Sequence, residues 1–177
     1  MRDAILQLAK EQALVLKTPR DIRVPLLTLE QYLEIRSIRV ALEGLAAETA
    51  AARASDEQLD ELETNIRENL DAIHADDLVL ALKLNQAFHF ALADIAGMPL
   101  LRAFLDSLWM RTGPLIAQAY ADFNERMAIE HHWDVLRALR ERNGAAAREA
   151  IHADLLDGSE KMLEFIAQSE APEQEAG

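Results

Sequence analysis

Cysteine is absent from the 177 residues, which excludes disulfides, thiolate metal ligands and thiol catalysis and fits a reducing compartment. Glycine and proline are scarce, six and five residues, and fall mostly between periodic segments; few turns are needed, and long helices with short connections follow. Aromatic residues make up only 5% of the chain, while Ala and Leu dominate its apolar half, a composition that favours helices. No apolar run approaches the roughly 18 residues that span a bilayer. The start, Met1-Arg-Asp-Ala-Ile-Leu6, lacks a signal-peptide core, so a soluble cytoplasmic protein is expected.

Positive charge is also in short supply, with 18 basic against 31 acidic residues and a net charge of −13. It is unevenly placed. Residues 1–25 hold five basic and three acidic side chains, a net of +2, so the remaining 152 residues carry −15. An acidic body repels phosphate, and any contact with nucleic acid must therefore run through the N-terminal segment.

What is present is mostly helical periodicity. Residues 2–13 read as a short amphipathic helix on Ile5, Leu6, Leu8 and Ala9. Two β-prone runs, 13–17 and 22–25, flank Thr18-Pro-Arg-Asp21 and predict a small hairpin. Thr28 with Gln31, and Ser55 with Gln58, form capping-box starts for helices reaching about Arg53 and Ile73. Asp76 or Asp77 caps a third helix that stops at Gly97-Met-Pro99. A fourth runs from about Leu100 to Tyr120, kinked at Gly113-Pro114; Asn124 caps a fifth reaching about Arg142; a sixth spans roughly 145–168. The expected fold is all-α: an antiparallel bundle of about six long helices over 28–168, preceded by the helix-and-hairpin segment 1–27 and followed by a disordered polar tail, 169–177.

Within this pattern Asn85 and His89 lie one turn apart on a stripe that is otherwise apolar (Leu82, Leu92, Ala96), so two metal-competent groups point inward together. His132 recurs with Val135, Leu136 and Leu139, and Asp154 with Ala147, Ala150, Ile151 and Gly158. Four inward donors on three helices form either a metal site or a metal-free polar cluster. His131 and His152 fall off the apolar stripes and are expected at the surface, as is His74. Phe88, Phe104, Trp109 and Tyr120 line a cavity or simply fill the core.

Ile38-Arg-Val-Ala-Leu-Glu43, Asn85-x-x-Phe-His89 running on to Gly97, His132-x-x-Val-Leu-Arg-Ala-Leu139 and Ala146-Ala-Arg-Glu-Ala-Ile-His-Ala-Asp-Leu155 together resemble the C-terminal ligand-binding domain of FadR-type regulators in the GntR family. The likeness covers about residues 28–168. Met1–Leu8 is similar to the start of that family's recognition helix, and Leu14–Val24 to its wing.

The resemblance implies a homodimeric transcriptional regulator, not an enzyme, that senses a small organic acid. It implies DNA contact through a winged-helix head, here at Arg2, Lys17 and Arg20. It implies a divalent metal (Zn, Ni or Mn) on Asn85, His89, His132 and Asp154, with Asp154 standing where the family usually has His. That substitution moves preference toward harder metals. Arg39, Arg111 and Trp109 are the implied effector contacts, Arg39 having an exposed pair with Glu43 as its alternative role. A metal-dependent enzyme acting on a small carboxylate or ester is the second functional reading, although no separate general base or nucleophile arrangement accompanies the site.

Overall fold

The computed structural model describes residues 5, 14–18, 21–23, 27–123 and 129–170. Strands β1 (Val15–Thr18) and β2 (Asp21–Arg23) pair antiparallel in three rungs, with an irregularity between Leu16 and Thr18. They form no layer of the fold, which is an all-α bundle. Of the short helix expected over 2–13, only Ile5 is described, and it is helical.

Six helices follow: α1 (Leu29–Arg53), α2 (Asp56–His74), α3 (Leu78–Ile95), α4 (Pro99–Phe123), α5 (Glu130–Arg140) and α6 (Gly144–Glu170). Their ends have local causes. Thr28 and Ser55 accept from the backbone of Gln31 and Gln58 while those side chains accept from the cap residues in return, closing both capping boxes. Asp77, not Asp76, caps α3, accepting from Leu80 N at 3.0 Å. Gly97, at φ +65°, turns the chain out of α3 while Met98 N donates back to Ala93 O at 3.1 Å. Asn143 caps α6 through Ala146 N.

Helix α4 runs through Gly113-Pro114 as the single element expected and ends at Phe123. Two boundaries differ from expectation. Helix α5 begins at Glu130 behind Ile129, which makes no side-chain cap bond; the expected cap, Asn124, lies outside the described residues. Helix α6 extends to Glu170, so the segment expected to be disordered starts inside it, and residues 171–177 lie outside the described residues.

Helix α1 is the centre of the packing and lies most extensively against α6; α5 covers α6, α2 pairs with α3, and α3 with α4. Its inner face is alanine (Ala46, Ala47, Ala50, Ala51), all buried, so neighbouring backbones approach closely. Gly44 extends this. A β-carbon there would meet His152 Nε2 at 2.2 Å, so the glycine leaves room for the His152 ring on α6. His152, expected at the surface, is instead half-buried, its Nε2 enclosed without a hydrogen-bond partner among the described residues.

Against the reading that no apolar run nears membrane-spanning length, α3 is 18 residues long with a mean hydropathy of 1.3. It lies between α1, α2 and α4 and buries Phe88, His89, Phe90, Leu92 and Ala93, as a core helix does.

Candidate metal centre

Three helices deliver three side chains to one point: His89 from α3, His132 from α5 and Asp154 from α6, with one ligand atom of each within 4.8 Å of the others. His89 Nε2 lies 3.3 Å from Asp154 Oδ2, and His132 Nε2 lies 3.4 Å from Asp154 Oδ1. Donors around a tetrahedral ion at ~2.1 Å stand roughly 3.4 Å apart, so the spacing suits a divalent cation. Both histidines are buried, and the His132 ring stacks on Phe88 at 3.8 Å and 10°. Both its nitrogens are buried without a hydrogen-bond partner among the described residues. A neutral, orphaned imidazole in a packed core is costly unless something takes its lone pair, and a metal does.

Asn85 is half-buried and lines the same cavity with His89 and Asp154. Its backbone is held from α2. The buried Asn69 amide, oriented to satisfy both neighbours, donates to Ala81 O at 3.2 Å and accepts from Asn85 N at 3.1 Å, gripping both ends of one helical hydrogen-bond step.

Behind His89 stands a chain of charge. Glu43 Oε2 accepts from His89 Nδ1 at 2.5 Å, and Glu43 Oε1 accepts from Arg39 Nε at 2.7 Å. The carboxylate fixes the ring as the Nδ1–H tautomer and leaves Nε2, the atom facing Asp154, free to coordinate. Arg39 in turn lies over the Trp109 ring, 4.3 Å from its centroid.

Electrostatics fit a cation. Burial alone would raise Glu43, but Arg39 and His89 outweigh it and hold its carboxyl at about 2. Burial, aided by Glu43, pushes Asp154 above the usual carboxylate range, and His89 and Arg39 do not offset it. Burial, then His89 and His131, press His132 well below the ordinary imidazole value. Burial thus works against the ionised form of Asp154 and keeps His132 neutral; a bound cation would favour the deprotonated carboxylate and use the lone pair of the neutral imidazole.

The cavity in front measures about 60 Å³ and is walled by Arg39, Asn85, His89, Trp109, Tyr120 and Asp154 among others. Trp109 Nε1 is buried and unpartnered among the described residues. Three expectations are corrected. Arg111 is half-buried on α4 but outside this wall, because the α4 residues that face the cavity are Trp109, Ile116 and Tyr120. Phe104 is 64% exposed, neither core nor cavity lining. His131 is half-buried rather than free at the surface, its Nε2 donating to Asp157 Oδ2 at 2.8 Å. His74 is exposed. Of the DNA-contact expectations, Arg2 and Arg20 lie outside the described residues, and Lys17 falls in β1.

Sequence reasoning missed Glu43 as the histidine's support and Asn69 altogether. A signal for Glu43 exists: it shares its phase with Ala46, Ala47 and Ala50, the buried alanine face. Asn69 stands in phase with Leu62, Ile66 and Ile73 on α2.

The FCD domain matches residues 34–157, and the chain belongs to that family. The HTH-type transcriptional regulator McbR of Escherichia coli (strain K12) is 27% identical over 154 residues, covering 85% of this chain and 70% of that protein. The HTH-type transcriptional repressor RspR of the same strain is 25% identical over 166 residues, covering 93% and 73%. Among solved structures, E. coli McbR/YncC superposes with a TM-score of 0.87 at 24% identity, over 93% of this chain and 84% of that one. A GntR family member from Pseudomonas syringae pv. tomato str. DC3000 gives 0.63 at 19%, over 94% and 70%. The chain thus carries an FCD domain, like the HTH-type transcriptional regulators it is similar to. These relatives are transcriptional regulators, not enzymes.

Proposed function

We propose that the bundle senses a small organic acid through a divalent ion, Zn, Ni or Mn, held by His89, His132 and Asp154 with Asn85 as the fourth ligand. The observation that carries this reading is the orphaned His132 imidazole, buried 3.4 Å from Asp154. An ion that takes five or six ligands would keep open positions beside these four for a ligand oxygen. Arg39 keeps Nε on Glu43 and lines the cavity, where its guanidinium is a charged partner for a carboxylate. Trp109 supplies an indole N–H in the same wall. The two ligand-bearing later helices, α5 and α6, pack on α1, so filling the site biases how these helices sit.

In the regulator, the module joins two copies into a homodimer, and segment 1–27 belongs to the winged-helix head, with Arg2, Lys17 and Arg20 at the phosphates. The test is metal content of the natively purified protein by mass spectrometry. Stoichiometric metal in wild type that is absent from His89→Ala and His132→Ala supports the site; variants that keep full metal content sink it.

A further inference from the structure

Arg36 and Arg39, three residues apart on α1, both line a small enclosed cavity of about 20 Å³ with Tyr32, Ile35, Thr112 and Leu155. Tyr32, Arg39 and Leu155 also wall the larger cavity at the metal centre, so the two spaces adjoin beside the Arg39 side chain. What neutralises the two cations differs. Arg39 has the Glu43 carboxylate on its Nε. Arg36 has no carboxylate at ion-pair distance among the described residues; its Nη1 donates to the neutral Ser159 hydroxyl at 2.9 Å. Both cations stand near the buried Tyr32 phenol, opposing in part the burial that pushes it up to about 12 and leaving it a neutral hydroxyl donor. A half-buried arginine that lines an enclosed space with no carboxylate at ion-pair distance is suited to receive an oxyanion.

We propose that the acid this chain takes is a short dicarboxylate: one carboxylate at the His89, His132 and Asp154 end beside Arg39, the second in the small cavity between Arg36 and Arg39. This rests on the small-acid reading above and adds a specificity-determining residue, Arg36, to it. Size agrees. A water needs roughly 10–15 Å³ by this measure, so the larger cavity admits only a few heavy groups and the smaller one little more than a single polar head. Charge agrees as well, since Glu43 already answers Arg39 and a bound ion answers Asp154, leaving Arg36 as the cation to be met.

The experiment is calorimetric titration of the full, metal-loaded chain with acetate, propionate, malonate, succinate and glutarate, on wild type and on Arg36→Gln, Arg39→Gln and Ser159→Ala. At least one dicarboxylate binds wild type about tenfold or more tighter than the monocarboxylates, the worth of one charge-assisted hydrogen bond. Arg36→Gln weakens the dicarboxylates far more than acetate and so erases that preference, Arg39→Gln weakens both classes, and Ser159→Ala keeps the preference because the charge stays. A wild type that binds acetate through Arg39 but gains nothing from a second carboxylate overturns this proposal alone. Loss of the preference in Ser159→Ala as complete as in Arg36→Gln overturns it too, by making Arg36 a packing residue. If no acid of either class binds, the small-acid reading falls with it.

Discussion

The chain places an arginine and a glutamate one helical turn apart in two telling positions, and their environments are opposite. On α1, Arg39 and Glu43 meet at 2.7 Å with side chains 10% and 1% exposed. On α2, Glu63 and Arg67 meet at 2.6 Å with Arg67 65% and Glu63 30% exposed. Water solvates both charges of the outer pair whether or not they touch, so the contact adds little. The inner pair has no such alternative, and each charge depends on the other. Glu43 also carries a third party, His89, whereas Glu63 shares its second oxygen with the surface Arg140 at 2.7 Å. The same dipeptide spacing is thus a support for a binding site in one place and a solvated face in the other.

The largest expected effect lies on the inner pair. Glu43→Ala strands a buried guanidinium and loosens His89, and it lowers unfolding stability by about 3–5 kcal/mol, measurable in urea. If the variant is as stable as wild type, the buried chain of charge is not a structural element. Next comes Glu43→Gln, which preserves volume but no longer sets the His89 tautomer by charge; metal affinity falls about 10–100-fold, read by competition with a chelating dye. Asp154→His, restoring the ligand type that the family resemblance places there, moves preference from Mn toward Zn and Ni in competition dialysis, and an unchanged order would remove Asp154 from the coordination set.

A smaller effect is expected of pH. His132 is pressed below its ordinary value in the fold, so between its depressed folded value and about 6.5 the unfolded chain binds a proton that the folded chain does not. Stability of the metal-free protein is therefore greatest above about 6.5 and is lost as pH falls below it. The urea midpoint should drop from pH 7 to pH 5, and His132→Gln should flatten that slope. The least effect belongs to the outer pair: Glu63→Gln leaves the midpoint unchanged, and a large loss there would erase the contrast between the two regions.

Much of the fold was legible because helix ends are local chemistry. Thr28, Ser55 and Gly97 mark boundaries through hydrogen bonds and backbone angles that lie within a few residues of each other. The phase of His89 and His132 on apolar stripes was equally local, since burial follows a 3.6-residue period. Less legible was anything decided between helices. Phe104 is apolar yet exposed, since its type says nothing about whether another element covers it. Arg111 is two residues from Trp109 on α4, but that separation turns it away from the cavity wall. His152 lies off its apolar stripe and is still enclosed at Nε2, because Gly44 on another helix leaves room for it.

By itself, the sequence determined the class, the helices and the inward donors, since composition, caps and periodicity act over a few residues at most. The tertiary structure decided that Asp154 meets both histidines, that Glu43 rather than solvent holds His89, and that Arg36 faces a second cavity. Those outcomes depend on how α1 and α6 approach each other across Gly44, and that distance is set by side chains far apart in the chain.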